Sequence, residues 1–219
     1  MSKKMVMMGN QSLLPEGFLE CKYLESPSVA GYGKCLIETG LTYLNKIVHI
    51  TLQGDSSQKN AYTVPVGGYQ DFATVNLAAY KNSNGYALSA AKYSGIPITE
   101  KVNVVLKITP NPDDEYGPQG AITAVSEATI NGISVKSVSG TKLVDNKLYL
   151  FSSGSSQGSS VWNFVGKIFK CTITDLEGNI LARYKAAVRE SDNTPGFYDT
   201  IRHRFDVNTG SGNLNFKLK

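Results

Sequence analysis

The chain has little of the chemistry that metal and redox centres need: two histidines and three cysteines in 219 residues. Cys21, Cys35 and Cys171 form no CxxC or other metal spacing, and His49 and His203 do not complete a zinc set with them at a recognisable interval. Their odd number also excludes a fully paired disulfide framework, so the three are expected to be reduced residues of the core or its boundary. No run of about 18 apolar residues occurs, and no membrane insertion is expected. Charged residues are only 18% of the chain, and the net +4 is scattered without the basic block or stripe that would follow a phosphate backbone. Nucleic acid is therefore not an expected partner, and no cofactor is expected. The opening MSKKMVMM carries two lysines and an apolar run far shorter than an export-signal core, so synthesis in a cytoplasm without export is the expectation.

What the chain has instead is glycine, 21 residues, and tyrosine, 12. That balance favours strands and turns over surface helices. Neither an amphipathic helix nor an internal repeat stands out. From Cys21 onward short apolar runs alternate with turn formers, and residues 46–52, 71–80, 86–93, 102–109, 121–130, 147–151, 167–174 and 180–189 read as strands. In VNVVLKIT, Val102, Val104, Leu106 and Ile108 share one face, and Val105 suggests partial burial of the other. Asn84-Gly85, Asn131-Gly132, Asp145-Asn146 and Glu177-Gly178-Asn179 can each supply the positive φ of a tight hairpin, which implies antiparallel neighbours.

One all-β domain, an antiparallel β-sandwich over residues 21–219, is predicted behind an extended N-terminal arm over residues 1–20. The arm cannot bury its own Met5, Met7, Met8, Leu13, Leu14 and Phe18, and methionine adapts to irregular grooves. It is expected to dock the domain onto a neighbouring subunit.

Two stretches go further. Residues 22–41 read KYLESPSVAGYGKCLIETGL, in which Tyr23, Leu24, Glu25 and Ser26 are followed, past a polar turn, by Thr39 and Gly40. Residues 184–214 hold Gly196, Phe197, Tyr198 and Asp199, then a basic turn, Phe205, Asn208, Gly210 and Gly212. These patterns resemble the opening and closing of the concanavalin A-like, laminin-G-like jelly rolls of bacteriophage and prophage structural proteins, with Asn131-Gly132 and residues 148–151 fitting more loosely between them. The resemblance spans the domain but not the first 20 residues, and PSVAGYGKC is longer than the family's usual turn.

The resemblance implies a jelly roll whose first and last strands pair. In its closing stretch Pro195-Gly196 should set a turn, Phe197 and Asp199 should point one way and Tyr198 the other, 201–204 should reverse the chain, and Phe205 and Val207 should return facing the core. It also implies a non-enzymatic component of a tailed-phage virion, made in the bacterial host cytoplasm, with other virion proteins (capsid or tail subunits) as partners in a homo-oligomer or multi-copy assembly. An accessory capsid protein, a decoration or head protein, is favoured over a fibre because neither repeats nor a coiled coil are evident. The alternatives are a tail or fibre carbohydrate-binding module that recognises a host surface glycan and, more remotely, a glycoside hydrolase of the same fold.

Candidate chemistry is sparse. Glucanases of this fold carry their carboxylates along one strand as Glu-x-Asp-x-Glu or a close variant, and no such run occurs; Asp175 and Glu177 fall at an expected hairpin tip. No G-x-S-x-G stands between a strand and a helix, so no catalytic residue is expected. Asp113, Asp114 and Glu115 are oxygen ligands of the type calcium takes, but no second set accompanies them and no metal is expected. His203 is expected in an exposed turn and His49 within a sheet. Trp162, after SSGSSQGSS, reads either as core or as a platform for stacking a sugar, whereas Tyr62, Tyr69, Tyr80, Tyr86 and Tyr93 read mostly as half-buried sheet residues.

Overall fold

The computed structural model describes residues 14–27, 35–57, 62–70, 73–80, 85–88, 92–110, 124–139, 147–152 and 163–219. Among these residues there is no helix, and the strands form two antiparallel sheets. The larger sheet holds β1 (Phe18–Ser26), β3 (Lys46–Gly54), β8 (Val102–Pro110), β9 (Ala124–Ile130), β10 (Ile133–Ser139), β12 (Gly166–Thr174), β13 (Ile180–Arg189), β14 (Thr194–Asp199), β15 (Arg204–Val207) and β16 (Asn215–Leu218). The smaller holds β2 (Ile37–Thr42), β4 (Tyr62–Gln70), β5 (Ala73–Tyr80), β6 (Gly85–Leu88), β7 (Lys92–Tyr93) and β11 (Lys147–Leu150). Their orders are β10-β9-β8-β3-β12-β1-β13-β14-β15, with β16 on β1, and β2-β11-β4-β5-β6-β7.

Period-two alternation builds these strands. In β8 Val102, Val104, Leu106 and Ile108 are buried, while Val105 lies on the outer face and is 38% exposed. Beside it, β3 buries Val48, Ile50 and Leu52 and leaves His49 exposed. Ile37, Val66, Leu77, Leu88 and Leu148 of the smaller sheet join these residues in one apolar cluster, so the two sheets share a core. Burial of each such side chain stabilises the fold by about 2 kcal/mol. Tyr86 crosses between the sheets fully buried, with its hydroxyl donating to the Ile98 carbonyl at 3.0 Å and accepting from the Gly54 amide at 3.2 Å. The run at 86–93 is two strands rather than one, since β6 ends at Leu88 and β7 starts at Lys92. The β9–β10 hairpin turns at Asn131-Gly132 with φ of 45° and 89°, as that dipeptide predicts.

The chain ends are knitted together. Strand β1 is taken up by the free ends of the β12–β13 hairpin: Phe18–Glu20 pair with Ala187–Arg189, and Leu24–Ser26 pair with Gly166–Ile168. The last strand, β16, lies on β1 from Cys21↔Leu218 to Glu25↔Asn215. Residues 14–20, expected in the arm, thus belong to the folded domain: Leu14 is buried and Phe18 is part of β1. Residues 1–13, with Met5, Met7, Met8 and Leu13, lie outside the described residues, as do the 113–115 acidic loop, Trp162 and residues 28–34 of the long opening turn.

Cys21, Cys35 and Cys171 are buried free thiols. Burial pushes Cys21 up to about 11 and raises the other two as well, which keeps all three out of the reactive thiolate form at neutral pH. The folded protein should react slowly with a thiol reagent at pH 8 and titrate three equivalents after denaturation without reductant. One equivalent instead of three would reveal a disulfide.

Candidate functional site

The closing hairpin differs from its expected course in two places. The reversal before it is made by residues 190–193, with Asn193 at φ 55°, so Pro195 and Gly196 stand inside β14 rather than in a turn. The residue pointing into the protein from β15 is Asp206, and Phe205 faces the other side. The reason is register: Phe205 pairs with Tyr198 and Asp206 with Phe197, so the face shared by Phe197 and Asp199 is continued by Asp206.

Two clusters result, one on each face. On the outer face Phe18 packs on Tyr198 and Phe205 with ring centroids 5.1 and 4.9 Å apart, and Leu14 and Ala187 complete the group. The Gly17 carbonyl accepts from the Glu190 amide at 3.0 Å, and the Arg189 guanidinium lies over the Phe205 ring at 5.7 Å. This small apolar group fixes where the N-terminal segment joins the domain.

On the inner face the opening and closing motifs meet in a polar cluster. Asp199, fully buried, accepts from the backbone amides of Arg183 and Ile201, each at 3.0 Å, and from Arg202 Nε. Arg202 Nη2 donates to the Thr39 carbonyl at 2.8 Å and to the Tyr184 hydroxyl; that hydroxyl in turn donates to the same carbonyl at 3.0 Å. The bonds to the Thr39 carbonyl tie the cluster to β2 of the smaller sheet, where Thr39 Oγ1 donates to the Leu148 carbonyl of neighbouring β11 at 2.8 Å. Arg204 pairs with Asp206 at 2.5 Å and lies against Gly40, whose φ is 68°; a Cβ there would sit 2.6 Å from the guanidinium. Burial pushes Asp199 up, but the donated hydrogen bonds and the Arg202 charge outweigh it and hold the carboxyl below its usual range. Asp206 is raised, because burial exceeds what Arg204 returns.

A second clamp holds the last loop. Asn208 Oδ1 accepts from the Leu36 and Gly210 amides at 2.7 and 3.0 Å, and its Nδ2 donates to the carbonyls of Gly210 and Gly212. Earlier in the chain Glu25 pairs with Lys167 at 3.6 Å, and Tyr23 meets Phe169 edge-on at 5.6 Å. Thr39, Gly40, Asp199 and Asn208 thus hold the opening and closing stretches together, while Tyr23 and Glu25 contact β12 and Leu24 and Phe197 lie in the core. Asp199 is held by guanidinium and amide donors and Asp206 Oδ1 by Arg204, whereas the buried Asp206 Oδ2 accepts no hydrogen bond and has Arg202 Nη2 at 3.8 Å.

His203 is exposed at φ 54° in the turn that follows Asp199, with Arg202 turned inward beside it. Substituting His203→Ala should shift stability by under about 1 kcal/mol, since His203 has no side-chain partner among the described residues and the left-handed backbone is unfavourable for either residue. A larger fall in melting temperature would contradict this placement. Asp175 caps the β12–β13 turn, accepting from the Asn179 amide at 2.8 Å as expected of a hairpin tip. Compared with models of known protein families and with curated proteins, the chain matches none.

Proposed function

We propose that the protein is a non-enzymatic structural component of a tailed-phage virion, an accessory capsid protein that displays a concanavalin A-like jelly roll and is attached through its N-terminal arm. The observation that carries this reading is the arm's root. Leu14 and Phe18 are seated on Tyr198 and Phe205, so the chain is fixed at Leu14 on the outer face of the larger sheet. A segment with four methionines and Leu13, anchored at its base, suits insertion into a groove on another subunit, because that anchoring removes part of the ordering cost of binding. The resemblance supplies the virion setting, and among the residues that carry it Thr39, Gly40, Asp199 and Asn208 hold the opening and closing stretches together. A domain closed in this way suits display on a particle that must survive outside a cell.

Density-gradient-purified particles from a host producing the chain should contain it in many copies, and it should co-migrate with capsid subunits after tails are sheared off. A chain found only in the soluble host fraction would contradict the assignment.

A further inference from the structure

Cations that are scattered along the sequence are gathered by the fold on the outer face of the larger sheet. Register puts them there: Lys107 lies opposite Ile47 and Glu127, Lys170 opposite Thr51 and Lys185, Arg183 opposite Thr172, and Lys217 opposite Tyr23. All four are exposed, and none forms an ion pair among the described residues. The carboxylates of this face are engaged elsewhere: Glu127 with Lys136 at 3.2 Å, Glu25 with Lys167 at 3.6 Å, and Glu20 with Lys185 at 3.5 Å and Lys219 at 2.6 Å. Eight cations therefore stand with three carboxylates, a larger positive excess than the +4 of the whole chain.

The arrangement is unfavourable for the domain alone. Lys170 is directly opposite Lys185, and the one carboxylate beside them, Glu20, is shared between Lys185 and Lys219. Like charges placed in this way destabilise a sheet. Lys101 and Lys167 lie over the Phe169 and Tyr23 rings at 4.1 and 4.9 Å, so the cationic surface has an aromatic base there. Val105, 38% exposed, adds an apolar point beside Lys107.

An anionic surface laid on this face would remove the repulsion. A polyphosphate fits poorly, because Glu20, Glu25 and Glu127 stand among the lysines and repel it. Cations, carboxylates, aromatic rings and an exposed valine together are the mixture found at a protein–protein contact. The root of the arm decides which protein. Phe18 pairs with Arg189, and Tyr198, on which it packs, pairs with Lys185, so the arm starts on the same face. A subunit that receives the arm is thereby brought against the cations. We infer that the outer face of the larger sheet docks on an acidic patch of the capsid subunit that takes up the arm, with Lys107, Lys170, Arg183 and Lys217 meeting its carboxylates. The inference rests on the virion reading and adds the partner's chemistry to it: the cations speed and orient the encounter, and the arm retains the bound chain.

The test uses particles assembled without this chain, immobilised on a biolayer sensor, with the purified full chain in solution. From about 50 to about 400 mM NaCl the association rate should fall about tenfold while the dissociation rate changes less than about twofold. The double variant Lys170→Glu, Arg183→Glu should associate about tenfold more slowly at the lowest salt and respond less to salt. Its melting temperature should not fall, since Lys170→Glu replaces a like-charge pair with an opposite one across from Lys185. Lys147→Glu, on the smaller sheet, should associate as wild type does. Association that ignores salt, a double variant that associates like wild type, or an equal loss in Lys147→Glu would overturn the inference while leaving the virion reading intact. Displacement of the chain from particles by a short duplex DNA at about 150 mM NaCl would assign the face to a polyphosphate and overturn it too. A wild-type chain that does not bind the particles at all would overturn both.

Discussion

Replacing Asp199 with alanine should destabilise the protein by about 3–5 kcal/mol, the range for removing one partner from a buried ion pair. The carboxylate has no exposed surface and accepts from the Arg183 and Ile201 amides as well as from Arg202. Its loss strands backbone donors at the β13–β14 pairing and leaves the partly buried Arg202 charge facing Thr39 and Tyr184 without its closest counter-ion. Asp199→Asn removes the charge and keeps the shape, so it should cost less and expose a pH dependence. The folded carboxyl sits below its ordinary value of 3.8, so its contribution is fully present above that value and disappears as pH falls through the lower, folded one. The stability gap between wild type and Asp199→Asn should therefore be constant from pH 7 to about 5 and narrow below about 4. Denaturant unfolding at several pH values measures it, and a gap that is absent at pH 7 would show that the cluster does not hold the hairpin.

Gly196→Val should cost about 3 kcal/mol, for a steric reason that has nothing to do with a turn. Gly196 is paired with Val207, and a Cβ there would lie 2.6 Å from the Asp206 carbonyl and 2.7 Å from the Phe205 ring. The carbonyl cannot retreat without breaking the β14–β15 ladder, and the ring cannot move without leaving Phe18 and Tyr198. Gly196→Ala meets the same two atoms and should cost less only by the absence of the branch. Melting temperatures that fall in the order wild type, alanine, valine are expected; a valine variant as stable as wild type would contradict the packing of Phe205 over this glycine.

Strand existence was readable in β8 and β3 because one face is buried and one is not, so alternation leaves its mark. Asn131-Gly132 was readable because the turn needs positive φ at both residues. The course of β14 was not: Pro195-Gly196 looks like a turn, yet the reversal is made by Asn193, three residues before Gly196, and glycine serves at 196 to admit an aromatic ring rather than an unusual angle. Nor could sequence tell which of Phe205 and Asp206 faces inward, since an aromatic is the ordinary choice for a core and a carboxylate is not. Only the presence of Arg202 and Arg204 makes the inverted arrangement possible. The same slip hid the seat of Leu14 and Phe18: an N-terminal segment without periodicity reads as a free arm, although Tyr198 and Phe205 on the outer face provide its partners. The concavity between residues 192–195 and 207–216 was invisible in the sequence because it joins them across a hairpin, and no linear motif records that neighbourhood.

The virion role rests on the arm, and one competition experiment reads it. A chain lacking residues 2–12, which keeps Leu14 and Phe18 in place, is co-produced with the full-length chain during particle assembly, and the two are quantified by gel densitometry of gradient-purified particles. We expect equal melting temperatures for the two purified chains and near-exclusive incorporation of the full-length one. Equal incorporation of both would contradict attachment through the arm.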